Sequence, residues 1–139
     1  DRDMIIHLGD CWADAEQLHR KFPMTVMEQV PGNCDCRQEV QERILLIEGK
    51  KILICHGHTF NVKAGYLNLE YAAEERKVDA ALFGHTHRVF YDKHNRIAYM
   101  NPGSIGQPPY GIPPSYGILQ VDGSSNTIAT DVIYLEENN

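Results

Sequence analysis

The sequence carries little positive charge. Its 139 residues include 13 lysines and arginines against 19 aspartates and glutamates, which gives a formal net charge of −6 at pH 7. A surface that binds nucleic acid or an anionic membrane normally carries clustered positive charge. The composition therefore argues against both kinds of partner.

Long apolar runs and abundant cysteine are also missing. No apolar stretch approaches the length of about 18 residues that a membrane span needs. The four cysteines are too few and too irregular for a disulfide framework: Cys11, Cys34, Cys36 and Cys55. We expect reduced thiols in a cytoplasmic protein, with a structural zinc on these cysteines as the alternative. The chain does not begin with methionine, which leaves a cleaved signal peptide open.

Four short runs rich in β-forming residues each end in glycine or proline beside a polar residue. They are MIIHLGDCW at 4–12, KILICHGHTF at 51–60, AALFGHTHRVF at 80–90 and RIAYMNPGS at 96–104. In open α/β sheets, ligands bind beyond the carboxyl ends of the strands. We therefore expect the polar residues to converge on one site, although His-x-His alone is equally typical of exposed side chains on a turn.

A fifth segment, VPGNCDCR at 30–37, follows the first run. Its Pro-Gly turn places the oxygens of Asn33 and Asp35 on a loop, and a plain turn is the simpler interpretation of the segment alone. Taken with the other segments, it adds an oxygen ligand to a set of imidazoles and a carboxylate.

The ordered set of motifs resembles the calcineurin-like metallophosphoesterase superfamily. The motifs are Gly9-Asp10, Gly32-Asn33-x-Asp35, His56-Gly57-His58 and Gly84-His85-x-His87, and Asn-Pro-Gly-Ser at 101–104 is similar to the small bacterial and archaeal phosphodiesterases of that superfamily. The resemblance runs from about residue 4 to residue 135. It implies an α/β fold, a four-layer α/β/β/α sandwich of two facing mixed sheets, in a single domain over 1–139.

The resemblance also implies roles for individual residues. Asp10 would bridge two metal ions and act in catalysis. Asn33, His56 and His85 would complete the site of one ion, and His87 would reach the other. His58 is expected to contact phosphate.

Such a site implies a metal-dependent phosphodiesterase or phosphatase. Two divalent ions about 3.5 to 4 Å apart clamp a phosphate and activate a hydroxide for attack at phosphorus. The mixed donor set suits manganese, nickel, iron, zinc or magnesium and does not choose among them. The expected partner is a small phosphodiester substrate, and the oligomeric state is left open, a homo-oligomer included.

The sequence departs from the family pattern in two places. Cys34 stands where many relatives carry a histidine that assists the leaving group, and His58 is the candidate substitute. The family's opening strand, which ends in Asp-x-His and holds the first metal, is not found ahead of the Gly9-Asp10 motif. We expect an N-terminally incomplete domain that lacks one strand and one helix and binds one metal rather than two.

Two other function classes stay open. The small subunit of the eukaryotic retromer coat has the fold that the resemblance implies and works as a non-catalytic scaffold, but a scaffold has no need of three converging histidines. A metallo-β-lactamase type of zinc hydrolase would need His-x-His-x-Asp-His, which HTHRVF lacks.

Apolar periodicity predicts the remaining elements. Helices are expected over 12–22 and within 61–78, the second with Leu67, Tyr71 and Ala72 on one face. Residues 102–117 form a loop, either a lid or a connector, and 116–122 with 127–135 form a terminal β-hairpin. His7 is expected to pack inside a strand, and His19 and His94 are expected to be solvated.

Overall fold

A computed structural model describes residues 4–9, 16–17, 20–22, 24–32 and 41–135. The strands are β1 (Met4–His7), β2 (Val26–Gln29), β3 (Glu42–Ile47), β4 (Lys50–Cys55), β5 (Ala80–Leu82), β6 (Val89–His94), β7 (Ile97–Pro102), β8 (Ser115–Asp122) and β9 (Thr127–Tyr134). A 3₁₀ helix spans His58–Phe60 and an α-helix, α1, spans Leu67–Glu75. None of the helices in this part of the chain combines the length and apolar character needed to cross a membrane.

The main sheet has five strands in the order β3-β4-β5-β7-β6. Its three central strands, β4, β5 and β7, run parallel, whereas β3 and β6 pair antiparallel at the two edges. Parallel strands end on the same side of a sheet. The residues that follow β4, β5 and β7 are therefore brought to one edge of the molecule.

Alternation along the strands divides the core between the two faces of this sheet. One face buries Leu53, Phe83 and Tyr99 beneath Leu69 and Ala73 of α1. The opposite face carries a second cluster, formed by Ile52, Ile54, Ala80, Leu82 and Met100.

The second cluster packs against another β layer. That layer is made of the parallel pair β1-β2 and the antiparallel hairpin β8-β9, which contribute Ile6 and Leu119 among others. Arg43 of β3 pairs with Glu28 of β2 and so links the two layers. The predicted fold class, an α/β sandwich with two β layers facing each other, is confirmed.

The helix predicted over 12–22 is described only in part, and the helix predicted within 61–78 is shorter than expected. Residues 16–17 and 20–21 are helical, and His19 lies outside the described residues. The helix predicted within 61–78 begins only at Leu67, because residues 57–65 contain a 3₁₀ turn and glycines with positive φ at both ends, Gly57 (112°) and Gly65 (144°).

The predicted buried face of α1 was wrong for two residues. Leu67 and Tyr71 are 57% and 61% exposed, whereas Leu69 and Ala73 are fully buried. Leu69, Ala72 and Ala73 lie against the sheet, whereas Leu67 and Tyr71 point outward, a choice that depends on the contour of the sheet beneath the helix.

Three strands were not predicted, namely β2, β3 and β6. The predicted turn around His94 is shifted, since His94 ends β6 and the turn lies at Asn95 and Arg96, both with positive φ. His94 is exposed as expected. The hairpin β8-β9 around residues 123–126 is confirmed, and no strand or helix lies between Pro102 and Ser115.

Two leucines of α1 provide a matched test of this burial pattern. Leu69→Ala is expected to lower the free energy of unfolding by about 2–5 kcal/mol, because it opens a cavity between the helix and the sheet. Leu67→Ala removes the same atoms from an exposed site and should change the free energy of unfolding by about 0.5 kcal/mol or less. Urea titration measures both, and equal losses would contradict the burial seen for α1.

Candidate metal and phosphate site

The segments that follow three strands meet at one edge. The backbone N–H of Gly84, after β5, donates to the carbonyl of His56, after β4, over 2.8 Å. The ring of His56 reaches the carbonyl of Leu8, after β1, with Nδ1 2.8 Å from the oxygen. Three sequence motifs that are distant along the chain therefore share one set of hydrogen bonds.

His56 is buried, with only 2% of its surface exposed. A carbonyl oxygen can only accept a hydrogen bond, so the contact with Leu8 places the ring proton on Nδ1. In the neutral ring, Nε2 then carries the lone pair and can accept a hydrogen bond or bind a metal ion. A backbone carbonyl that orients an imidazole in this way is typical of metal-binding histidines.

The lone pair of His56 points toward His85. His56 Nε2 lies 3.1 Å from His85 Nδ1, and the two rings meet edge to face with centroids 4.9 Å apart. Two neighbouring nitrogen ligands at about 2.0–2.1 Å from one ion are separated by about 2.8–3.0 Å in octahedral geometry and about 3.3–3.4 Å in tetrahedral geometry. The pair therefore fits as two ligands of a shared metal ion.

The backbone around His85 is unusual. His85 and His87 have φ of 69° and 61°, in the left-handed region that residues other than glycine rarely occupy. Such conformations persist only where the surroundings impose them, and they cluster at functional sites. The loop 84–88 is thus held in a defined shape that presents both histidines.

His58 lies beside the pair. Its ring centroid is 5.3 Å from that of His56 and 6.1 Å from that of His85. His58 Nδ1 is buried and has no hydrogen-bond partner among the described residues. A proton there would be a buried donor without an acceptor, so the neutral ring is expected to carry its proton on Nε2.

The structure tests the predicted ligand set only in part. Asp10 and Asn33 lie outside the described residues, as do Cys34 and Asp35. Of the predicted ligands that are described, His56 and His85 lie together. His87 is half-buried and makes no ring contact with His56, His58 or His85 within the described residues.

In the part of the chain that the structure describes, no three histidine, cysteine, aspartate or glutamate side chains form a group that could hold a metal ion. The described residues thus supply a pair of nitrogen ligands. The oxygen ligands predicted at Asp10 and Asn33 would have to complete the metal site. Each of these two residues directly follows a glycine that the structure describes, Gly9 or Gly32.

Gly9 explains how the two loops approach so closely. A Cβ atom at this position would lie 2.5 Å from His56 Nδ1, and the φ of Gly9 is +110°. Only glycine can adopt this conformation and leave room for the imidazole. The glycine of the Gly9-Asp10 motif is therefore required by the position of His56.

Cys55 precedes His56 but does not join the site. It is a free thiol buried in the core, and burial raises its pKa to about 12, with a further increase from Glu42 and an opposing effect of Arg76. A thiol with such a pKa stays protonated and is a poor nucleophile and metal ligand. The other three cysteines lie outside the described residues, so the zinc alternative for the four stays untested.

Sequence reasoning placed Asn101 among the polar strand-end residues expected to converge on one site but gave it no individual role, and it gave Leu8 none. Asn101 is fully buried and hydrogen-bonds to the loop that carries His85 and His87. A polar residue at the end of an apolar strand was the available signal. No sequence signal identified the Leu8 carbonyl, because every residue carries one.

The chain matches a family model for the calcineurin-like phosphoesterase superfamily domain over residues 1–124. It is 36% identical to the probable metallophosphoesterase YsnB of Bacillus subtilis, over 91% of this chain and 73% of that protein. It is 30% identical to the phosphodiesterase YfcE of Escherichia coli K12, over 82% of this chain and 50% of that protein.

Solved structures show the same fold at lower identity. A predicted phosphoesterase from Streptococcus pneumoniae superposes with a TM-score of 0.77 at 22% identity, over 94% of this chain and 88% of that one. Vps29 of Entamoeba histolytica, solved with zinc, gives 0.74 at 19% identity, over 95% and 82%. At these identities the likeness concerns the fold alone.

Gly9→Ala tests the contact between the loops. We expect it to lower the free energy of unfolding by about 1–3 kcal/mol more than Gly49→Ala, because the added methyl group overlaps His56. Gly49 is a matched control, since its φ is +80° and nothing lies within 4 Å of the Cβ position. Thermal unfolding measures the difference, and equal losses in the two variants would contradict the close approach.

Proposed function

The chain belongs to the calcineurin-like phosphoesterase superfamily, and we propose that it is a metal-dependent phosphodiesterase acting on a small phosphodiester. The observation that carries this proposal is the His56–His85 pair, a buried and a half-buried imidazole whose nitrogens lie 3.1 Å apart beyond the ends of adjacent strands. A structural role alone does not call for this arrangement. The Leu8 carbonyl orients one ring so that its lone pair faces the other.

The donors proposed for the metal are those predicted from the sequence. Asp10, Asn33, His56 and His85 would hold one divalent ion, and Asp10 with His87 would contribute to a second. When bound, such ions polarise the phosphate and lower the pKa of a coordinated water. Nitrogen and oxygen donors suit manganese, nickel, iron, zinc or magnesium, and manganese is the ion we would test first.

The chain's own residues orient and complete the site. Leu8 keeps the proton of His56 on Nδ1, so that Nε2 carries the lone pair that would bind a metal. The left-handed loop 84–88 aims His85 at the same point. The surrounding core is apolar, and charged interactions are stronger in such surroundings than in water.

His58 is proposed as the group that contacts phosphate and protonates the leaving oxygen. It is only half-buried, its ring stands 5.3 Å from that of His56, and its buried Nδ1 favours a proton on Nε2. A general acid must hold a proton within reach of the leaving group. Cys34, which stands where many relatives have a histidine, would then not be needed for this step.

Location and partners are proposed on simpler grounds. Cys55 is a free buried thiol, in keeping with a reducing cytoplasm. The net charge of −6 disfavours nucleic acid as a partner. A single domain spanning 1–139 and a homo-oligomer are both compatible with this proposal.

The alternative is a binding module without catalysis on the same fold. Such a protein could keep a metal as a structural element, but it would have no use for a proton donor beside the metal ligands. The two functions differ in one measurement: hydrolysis of bis(p-nitrophenyl) phosphate with manganese added. Tight manganese binding without hydrolysis would favour the binding module.

Asp10→Asn tests the proposed bridging carboxylate. We expect hydrolysis to fall to the uncatalysed background while thermal unfolding is nearly unchanged, because a neutral amide holds divalent ions more weakly than a carboxylate does. His94→Ala, at an exposed site on β6, is the control and should keep wild-type activity. Wild-type turnover in the Asp10→Asn protein would refute the role assigned to Asp10.

His58→Asn tests the proposed acid. Hydrolysis of a diester with an alkyl leaving group should fall about 10²–10⁴-fold, because an alkoxide needs a proton to leave. Hydrolysis of a p-nitrophenyl ester should fall much less, since nitrophenolate leaves unprotonated. His94→Asn serves as the control. Equal losses on the two substrates would show that His58 contacts phosphate without donating a proton.

A further inference from the structure

Asn101 is the fully buried polar residue at the end of β7. Its Nδ2 donates to the carbonyl of Gly84 over 3.0 Å and to Thr86 Oγ1 over 2.9 Å. Its Oδ1 accepts from the backbone N–H of Gly103 over 3.0 Å. Both amide hydrogens and the amide oxygen therefore have partners, as a buried side chain of this kind requires.

These contacts lie on either side of His85. Gly84 precedes this histidine and Thr86 follows it, so one amide group holds both neighbours of a residue whose φ is 69°. Thr86 extends the support toward His87, because its Oγ1 also accepts the backbone N–H of Arg88 over 3.2 Å. The loop 84–88 is thus connected to β7 by hydrogen bonds from the side chain of Asn101.

The side chain of Asn101 forms hydrogen bonds just beyond the point where β5 and β7 stop pairing. The last backbone hydrogen bond between the β5 and β7 segments runs from the N–H of Phe83 to the carbonyl of Met100, over 3.1 Å. After this bond, the hydrogen bonds from β7 to the loop 84–88 come from the side chain of Asn101, which contacts Gly84 and Thr86. The carbonyl of Gly84 also accepts from the backbone N–H of Thr86 over 2.8 Å, so Asn101 adds a second hydrogen bond to this carbonyl and connects it to β7.

Few residues could replace Asn101 here. The position needs two donors toward the loop and one acceptor toward Gly103. Leucine offers neither, and an aspartate carboxylate would face the carbonyl of Gly84 with no hydrogen to donate. Glutamine has the right groups on a side chain that is one carbon longer.

We infer that Asn101 is a positioning residue for His85 and His87, acting through Gly84 and Thr86. Its amide imposes the loop conformation that brings His85 Nδ1 to His56 Nε2. Asn101 touches neither substrate nor metal in this role. The inference rests on the proposed function only in one respect, namely that the two histidines bind metal.

The first test measures metal affinity apart from activity. Purified wild-type protein and Asn101→Leu are titrated with Co²⁺ and followed by visible absorption, which reports the ligands of the ion. We expect Asn101→Leu to bind Co²⁺ about 10–100-fold more weakly and with an altered spectrum, as for other residues that orient metal ligands. Wild-type affinity and spectrum in this variant would overturn the inference.

The control is another buried hydrogen-bonding residue close by. Ser115 is 3% exposed, and its Oγ donates to the carbonyl of Pro102 over 2.7 Å, whereas no hydrogen bond joins it to the loop 84–88 among the described residues. Ser115→Ala should lower the melting temperature but leave Co²⁺ affinity and spectrum unchanged. Equal weakening in Ser115→Ala and Asn101→Leu would overturn the inference, because general loss of packing would explain both.

Thr86 provides a second variant in case Asn101→Leu does not fold. Thr86→Val removes the hydroxyl that Asn101 contacts while keeping the shape, and should weaken Co²⁺ binding. Thr86→Ser should restore wild-type affinity. If both Thr86 variants bind Co²⁺ like the wild type, the proposed path through Thr86 is refuted.

A metal-free measurement separates this inference from the proposed function. Long-range ¹H–¹⁵N NMR of the histidine rings reports the contact of His56 with His85 in the absence of any ion. Shifted ring signals in Asn101→Leu, together with a wild type that binds no Co²⁺, would support the positioning role and refute the metal site. Unchanged ring signals would refute the positioning role whatever the wild type binds.

Discussion

The contact between His56 and the carbonyl of Leu8 is the constraint on which the candidate site depends. The 2.8 Å hydrogen bond places the proton on Nδ1 and thereby determines which nitrogen of a buried imidazole is available. It also joins the first strand of the second β layer to the center of the main sheet. Gly9 makes the contact possible, because any side chain at that position would overlap the ring.

The parallel strands bring the remaining parts to the same place. β4, β5 and β7 lie side by side in the sheet, with Ile52 opposite Ala80 and Ala80 opposite Ala98. Their carboxyl ends present His56, His85 and Asn101 in sequence across one edge. The N–H of Gly84 donates to the carbonyl of His56, and the side chain of Asn101 donates to the carbonyl of Gly84. These two hydrogen bonds link the segments that follow neighbouring strands, beyond the point where the regular pairing of the sheet ends.

The core below the site is strongly apolar, and its ionisable groups show the effect. Burial raises the pKa of Tyr99 to about 12, with further increases from Glu70 and Glu74, and the pKa of Cys55 also rises to about 12. Both groups therefore stay neutral at physiological pH. The histidines stand at the border between this region and the surface, where a buried ring can be oriented by the core and still face a ligand.

Sequence alone determined the kinds of residue at the strand ends and the strands that carry them. The apolar runs before His56, Gly84 and Asn101 form strands as predicted, because a short run of β-forming residues bounded by glycine or proline has few other solutions. Tertiary structure decided what periodicity leaves open. Leu69 rather than Leu67 is buried because the sheet surface selects one face of the helix, and the contact of His56 with Leu8 depends on two strands in different layers. The role of Asn101 likewise follows from hydrogen bonds to residues 15 and 17 positions away along the chain. No local pattern encodes such distances, since they arise only when separate strands have packed together.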